Sequence, residues 1–130
     1  MARLNTTTDV LTLAQARERL ALVRPLVERL MHLTEQLRQL ATDENSTPSP
    51  TAEAKRWALE ESFKSTLREL NAQGAVLKDP MSGLIDFYTW RDDDFAFLCW
   101  KHGEADIHWW HGLHEGFQGR RPITEHEANS

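Results

Sequence analysis

The chain has 130 residues, a formal net charge of −5 and a sequence pI near 5.6. That length suits one domain with a real core, and that charge excludes a sequence-independent grip on nucleic-acid phosphates, which needs a basic face. No apolar run approaches the roughly 20 residues that span a bilayer, the Met-Ala-Arg-Leu-Asn-Thr-Thr-Thr start lacks the apolar core of a signal peptide, and a single cysteine cannot form an internal disulfide. The expectation is a reduced, cytoplasmic protein with no nucleic-acid or membrane partner.

The first element is an amphipathic helix. Thr12 with Gln15 fits a capping box, in which hydroxyl and amide each satisfy an orphan N–H at the helix start. Leu13, Ala16, Leu20, Val23, Val27, Leu30, Thr34, Leu37 and Ala41 then recur at three- and four-residue steps, the seam of a helix packed on a helix. Leu26, Leu33 and Leu40 widen the stripe, as in a bundle. Pro25 removes one amide donor and is expected to kink the helix near Ala21. Residues 42–51 hold no apolar side chain and read as a flexible loop. A second helix is expected from about Ala52 to Ala72, with Trp57, Leu59, Phe63, Thr66, Leu67 and Leu70 as its apolar face and Gly74 ending it in a left-handed cap. The two form an antiparallel hairpin, about residues 12–73.

A β-rich part, about residues 75–123, follows. Lys78 to Gly83 reads as a loop, Leu84 to Thr89 as a strand, Trp90 to Asp94 as a charged turn, and Phe95 to Trp100 as a central strand, apolar on both faces. Lys101 to Ala105 turns the chain into a third strand, Asp106 to His111. Gly112, Gly116 and Gly119 punctuate an irregular segment, and residues 124–130 read as a disordered tail. The expected fold is α+β: one domain, residues 1–130, with the long helical hairpin packed on a three- to four-stranded antiparallel sheet.

Several motifs stand out in this layout: Leu70-Asn71-Ala72-Gln73-Gly74, Gly83-Leu84-Ile85-Asp86-Phe87, Leu98-Cys99-Trp100, Gly103-Glu104, Trp110-His111, Glu115-Gly116-Phe117 and Gly119-Arg120. From Leu11 to Ile123 the chain resembles the bacterial domain-of-unknown-function family 2203, whose members open with a long, proline-containing helix. Some members carry a division initiation label, which supplies no mechanism. The resemblance favours Cys99, Glu104, His111, Glu115 and Arg120 as a set. It lowers the weight of His102, His108 and His114; an aliphatic residue is expected at His102 and an acidic one at His114.

Cys99 to Arg120 is also the densest chemistry in the chain, with three of five tryptophans, four of six histidines and the only cysteine. A transition metal needs thiolate, imidazole or carboxylate donors converging at about 2.0–2.3 Å, and Cys99, His111 and Glu115 offer all three. Whether Cys99 and His111 share a face depends on register. If Cys99 lies opposite His108 they do not; if it lies opposite Trp109 they do, because residues two apart on a strand point the same way. The bland alternative is a buried thiol acting as a small hydrophobe and a histidine hydrogen-bonded to backbone or carboxylate. No standard zinc spacing is present.

Trp90, Trp100, Trp109 and Trp110 are candidates either for core packing or for lining a pocket for a flat or cationic ligand. Adjacent Trp109 and Trp110 must face opposite sides of a strand, so one packs on the helices. The other needs a cover: the Gly112–Gly119 loop, a ligand or a second subunit. Arg120 either clamps an anion or pairs with Glu115 to pin the loop, and the pairing is favoured.

These observations lead to a small metal- or small-ligand-binding protein. Cys99, His111 and Glu115 are the expected metal ligands, for zinc or iron, and Glu104, Trp100, Trp110 and Arg120 the surrounding ligand-binding groups. His102, His108 and His114 are secondary candidates, and no catalytic residue is assigned. The alternative is a non-enzymatic interaction protein that homodimerises through its helices and keeps the Trp/His segment as core. Third is a cysteine- or metal-dependent hydrolase or redox enzyme, which needs a reachable Cys99 thiolate of lowered pKa.

Overall fold

A computed structural model of the chain describes residues 5–43 and 49–124. Among these residues two helices, α1 (Leu13–Asp43) and α2 (Pro50–Ala72), precede five strands, β1 (Ala75–Asp79), β2 (Leu84–Arg91), β3 (Asp94–Lys101), β4 (Trp109–Gly112) and β5 (Arg121–Pro122), with a 3-10 turn, Phe117–Gly119, before the last. The sheet is an antiparallel meander in the order β1-β2-β3-β4-β5. The α+β fold is as expected, with five strands rather than three or four.

Local chemistry sets the element ends. At the start of α1, Thr12 N–H donates to Gln15 Oε1 (2.9 Å) and Gln15 N–H to Thr12 Oγ1 (3.1 Å), the reciprocal capping box. Helix α1 continues through Pro25 to Asp43. Helix α2 starts earlier than its apolar pattern, because Ser49 Oγ accepts from Ala52 N–H at 3.1 Å and Pro50 sits where no donor is needed. The expected loop 42–51 is therefore helical at both ends; its residues 44–48 lie outside the described residues, as does the expected tail from residue 125 on. Gly74, at φ +88°, releases the chain from α2 directly into β1.

The helices pack on one face of the sheet. Ala16, Leu20, Val23, Val27 and Leu30 from α1, with Leu67 and Leu70 from α2, meet Ala75, Leu77, Ile85, Phe87, Leu98 and Trp100. Each large side chain buried this way contributes roughly 1.5–3 kcal/mol. Trp57, placed on the apolar face of α2 by periodicity, is 66% exposed. It lies in the first half of α2, whose buried residues begin only at Thr66.

Turn geometry fixes the registers. Asp92 and Asp93 both have positive φ, 51° and 63°. They form a two-residue hairpin loop of the kind whose twist matches the strands, so the expected five-residue charged turn shrinks to two. The pairing Arg91↔Asp94 then places Asp86 opposite Cys99. The longer connection after β3 is tied to the helices: Ile107 is fully buried, Arg17 donates to its carbonyl (2.7 Å), Arg24 donates to the Ala105 carbonyl, and Trp100 Nε1 donates to the Glu104 carbonyl (3.0 Å). The third strand consequently begins at Trp109, not Asp106, and Cys99 faces Trp109.

Candidate metal centre

Alternation along the strands sends Ile85, Phe87, Leu98 and Trp100 toward the helices and Asp86 and Cys99 to the opposite face. The registers Asp86↔Cys99, Cys99↔Trp109 and Phe97↔His111 bring His111 onto that same face. Asp86, Cys99 and His111 are 1%, 0% and 2% exposed, although they lie on the side without helices. One donor atom from each lies within 4.8 Å of the others.

The hydrogen bonds of the His111 ring define its state. Nδ1 lies 2.9 Å from the Gly112 carbonyl and Nε2 lies 3.0 Å from Asp86 Oδ2. A carbonyl and an ionised carboxylate only accept, so this geometry suits a ring that donates from both nitrogens, an imidazolium paired with the Asp86 carboxylate. Burial opposes that charge, but the hydrogen bonds to Asp86 and to the Gly112 carbonyl, with the charge of Asp86, outweigh it and raise the ring above its usual value. The Cys99 thiol is pushed up to about 12, first by burial and then by the charge of Asp86 beside it. A buried thiol held protonated is the reverse of an activated nucleophile. Apart from the Cys99 thiol, which also bonds the Asp86 side chain, the other carboxylate oxygen, Oδ1, is buried with no hydrogen-bond partner among the described residues, a costly arrangement for an anionic oxygen.

The surrounding groups are charged and aromatic. Lys78 Nζ lies 3.9 Å from Asp86 Oδ2 and 4.3 Å from the centre of the Phe97 ring. Arg120 Nη2 bonds Glu104 Oε1 at 2.6 Å and reaches the Cys99 carbonyl at 3.4 Å. Its guanidinium lies over Trp109 (5.0 Å) and Phe117 (4.7 Å). Arg120 thus clasps the C-terminal segment over the back of Cys99, with Glu104 rather than Glu115 as its partner.

Glu115 accepts from Gly112 N–H at 2.8 Å and from Arg121 at 3.0 Å, so it caps the turn after β4. The carboxylate standing with Cys99 and His111 is that of Asp86. Trp100 is in the helix-side core, with its indole N–H on the Glu104 carbonyl. Trp110 packs at the edge of that core between the guanidinium groups of Arg91 (4.2 Å) and Arg121 (4.9 Å). Of the adjacent pair, Trp110 is therefore the one facing the helices, and Trp109 is covered by Arg120. His102 pairs with Glu28 at 3.1 Å, at the far end of β3, while His108 and His114 are exposed. The structure brings together Cys99 and His111 from the expected ligand set and adds Asp86.

Fold and site define a helical hairpin on a β-meander whose uncovered face buries an Asp/Cys/His group. The chain belongs to the family of uncharacterised conserved proteins DUF2203, whose model matches residues 10–123. No curated protein matches the chain, and no solved structure does. No helix among the described residues is long and apolar enough to cross a membrane.

Proposed function

We propose that this protein binds one transition-metal ion, zinc or iron, through Asp86, Cys99 and His111. The observation that carries the proposal is the convergence of three fully buried donors of three chemistries, with Asp86 Oδ1 lacking any hydrogen-bond partner outside this group among the described residues. Thiolate, imidazole and carboxylate together suit a borderline-soft ion. The second nitrogen of His111 is already held on a backbone carbonyl, the support that metal-bound histidines use to fix orientation. Loading replaces two protons, those on Nε2 and on Sγ, so the ion overcomes the raised thiol by displacing its proton.

The test is elemental mass spectrometry on untagged protein from metal-supplemented medium, purified without a nickel column. Near-stoichiometric metal in the wild type and its loss in both Asp86→Asn and Cys99→Ser, with the fold kept, are expected. Metal-free protein that cannot be reloaded overturns the proposal.

A second function has its own observation. The buried residues of α1 end at Leu33 and those of α2 begin at Thr66. The distal hairpin therefore carries half-buried Leu37, Leu40, Leu59 and Phe63 beside exposed Trp57. A homodimer through these helices covers that surface. Light scattering behind size exclusion is expected to give twice the chain mass for the wild type and the chain mass for Trp57→Arg. A monomeric wild type overturns it.

A further inference from the structure

Strand β1 carries a register shift against β2 between Leu77 and Asp79, which makes Lys78 the extra residue of a β-bulge. Bulges are over-represented beside functional sites. Ala75 and Leu77 face the helices, so alternation puts Lys78 on the Asp86 face, with its ammonium over the Phe97 ring and 3.9 Å from Asp86 Oδ2, too long for a hydrogen bond. We propose that the metal held by Asp86, Cys99 and His111 keeps a fourth coordination position, and that Lys78 holds a small monovalent anion there. This deepens the metal-binding function proposed above and rests on it.

Coordination number is the first support. Thiolate- and imidazole-bound zinc takes four ligands, and the buried group among the described residues supplies three. The two carboxylates of the expected site are committed elsewhere, Glu104 to Arg120 and the Lys101 N–H, Glu115 to Arg121 and the Gly112 N–H.

Charge is the second. A dication, the Asp86 carboxylate, the Cys99 thiolate and a neutral His111 ring cancel. Lys78 is left over as a positive charge beside a buried centre, and such a charge favours an anion.

Geometry and size complete the case. The Lys78 side chain is 37% exposed, against 2% for Asp86. Its tip bridges solvent and the buried donors and can move aside to admit a ligand. The donors are buried so completely that the anion must be small, of the size of formate or azide. A centre of this kind binds an exogenous ligand rather than serving only as a staple between strands.

The experiment uses the full chain loaded with Co(II), whose visible bands report coordination directly, and sodium azide as the probe. Cobalt bands with thiolate character, a saturable change on azide addition, an affinity about tenfold weaker in Lys78→Met and partial rescue in Lys78→Arg are expected. Cobalt bands that azide leaves unchanged overturn the open position while leaving metal binding intact. Equal azide affinity in the wild type and Lys78→Met overturns the role of Lys78. A failure of cobalt to bind overturns the metal-binding function as well.

Discussion

The two faces of the sheet are made from alternate residues of the same strands, yet they are stabilised by different physics. Toward the helices, Ile85, Phe87, Leu98 and Trp100 are excluded from water by direct apolar packing. On the other face, Asp86, Cys99 and His111 are just as buried, and what surrounds them is charged or aromatic: Lys78, Phe97, and the Arg120–Glu104 pair over Trp109. The first face is almost wholly apolar, with Thr89 its one buried polar residue on β2 among the described residues. The second spends burial on groups that favour water, and polar burial of that kind is retained where it has work to do. Cys99 and Trp100 are neighbours in sequence and belong to opposite worlds.

The sharpest way to break the comparison is to damage each face in turn. Phe87→Ala, at a fully buried position, is expected to cost about 3–5 kcal/mol in denaturant unfolding, with metal lost only because the fold is. Asp86→Asn, directly beside it on the opposite face, removes the ionic partner of His111. In metal-free protein it is expected to cost about 1.5–3 kcal/mol, and it abolishes metal binding in protein that remains folded. If metal persists in folded Asp86→Asn, the open face is not the metal centre. Glu115→Ala loses one cap on Gly112 N–H, an expected cost of about 1 kcal/mol, with metal content unchanged; loss of metal there would put the carboxylate ligand on Glu115 instead.

The smallest effect is a pH drift of opposite sign in the two states. In metal-free protein the folded His111 ring holds its proton more tightly than the unfolded ring, through Asp86 and the Gly112 carbonyl. That contribution is full below the ordinary histidine value of 6.5 and is lost as pH rises through the higher folded value. Metal-free stability should therefore decline across this window, and Asp86→Asn should flatten the decline. Metal affinity should rise over the same range, because binding releases the protons on Nε2 and Sγ. Chemical denaturation at several pH values, with and without metal, checks both signs.

Much of the fold could be read from the chain. The three- and four-residue apolar steps, the Thr12–Gln15 box and Gly74 gave α1, the hairpin and the end of α2. Trp57 misled because periodicity reports an apolar stripe, not what covers it, and the buried residues of α2 begin only at Thr66. Strands β1 and β5 are short edge strands, of five and two residues, with too few residues to show alternation; β1 is further interrupted by the bulge at Lys78.

The site was half legible. Cys99 and His111 stood out by residue type, and the register that unites them was one of two left open. Asp86 was legible only as part of a family motif. A signal for it existed: a lone carboxylate between Ile85 and Phe87, and Asp92-Asp93 able to adopt the positive φ of a two-residue turn, which alone dictates Asp86 opposite Cys99. Reading that segment as a longer turn hid the pairing. Glu115 was attractive as a carboxylate of the family set, but it lies in the turn that follows β4, where Gly112 N–H and Arg121 take its oxygens.

X-ray absorption at the metal edge of zinc-loaded protein tests the central claim most directly, because it sees the donors themselves. One sulfur at about 2.3 Å with nitrogen and oxygen neighbours at about 2.0–2.2 Å, the sulfur vanishing in Cys99→Ser, is the predicted result. A shell of nitrogen and oxygen alone in the wild type would contradict it and leave Asp86, Cys99 and His111 as a buried ion pair beside an inert thiol.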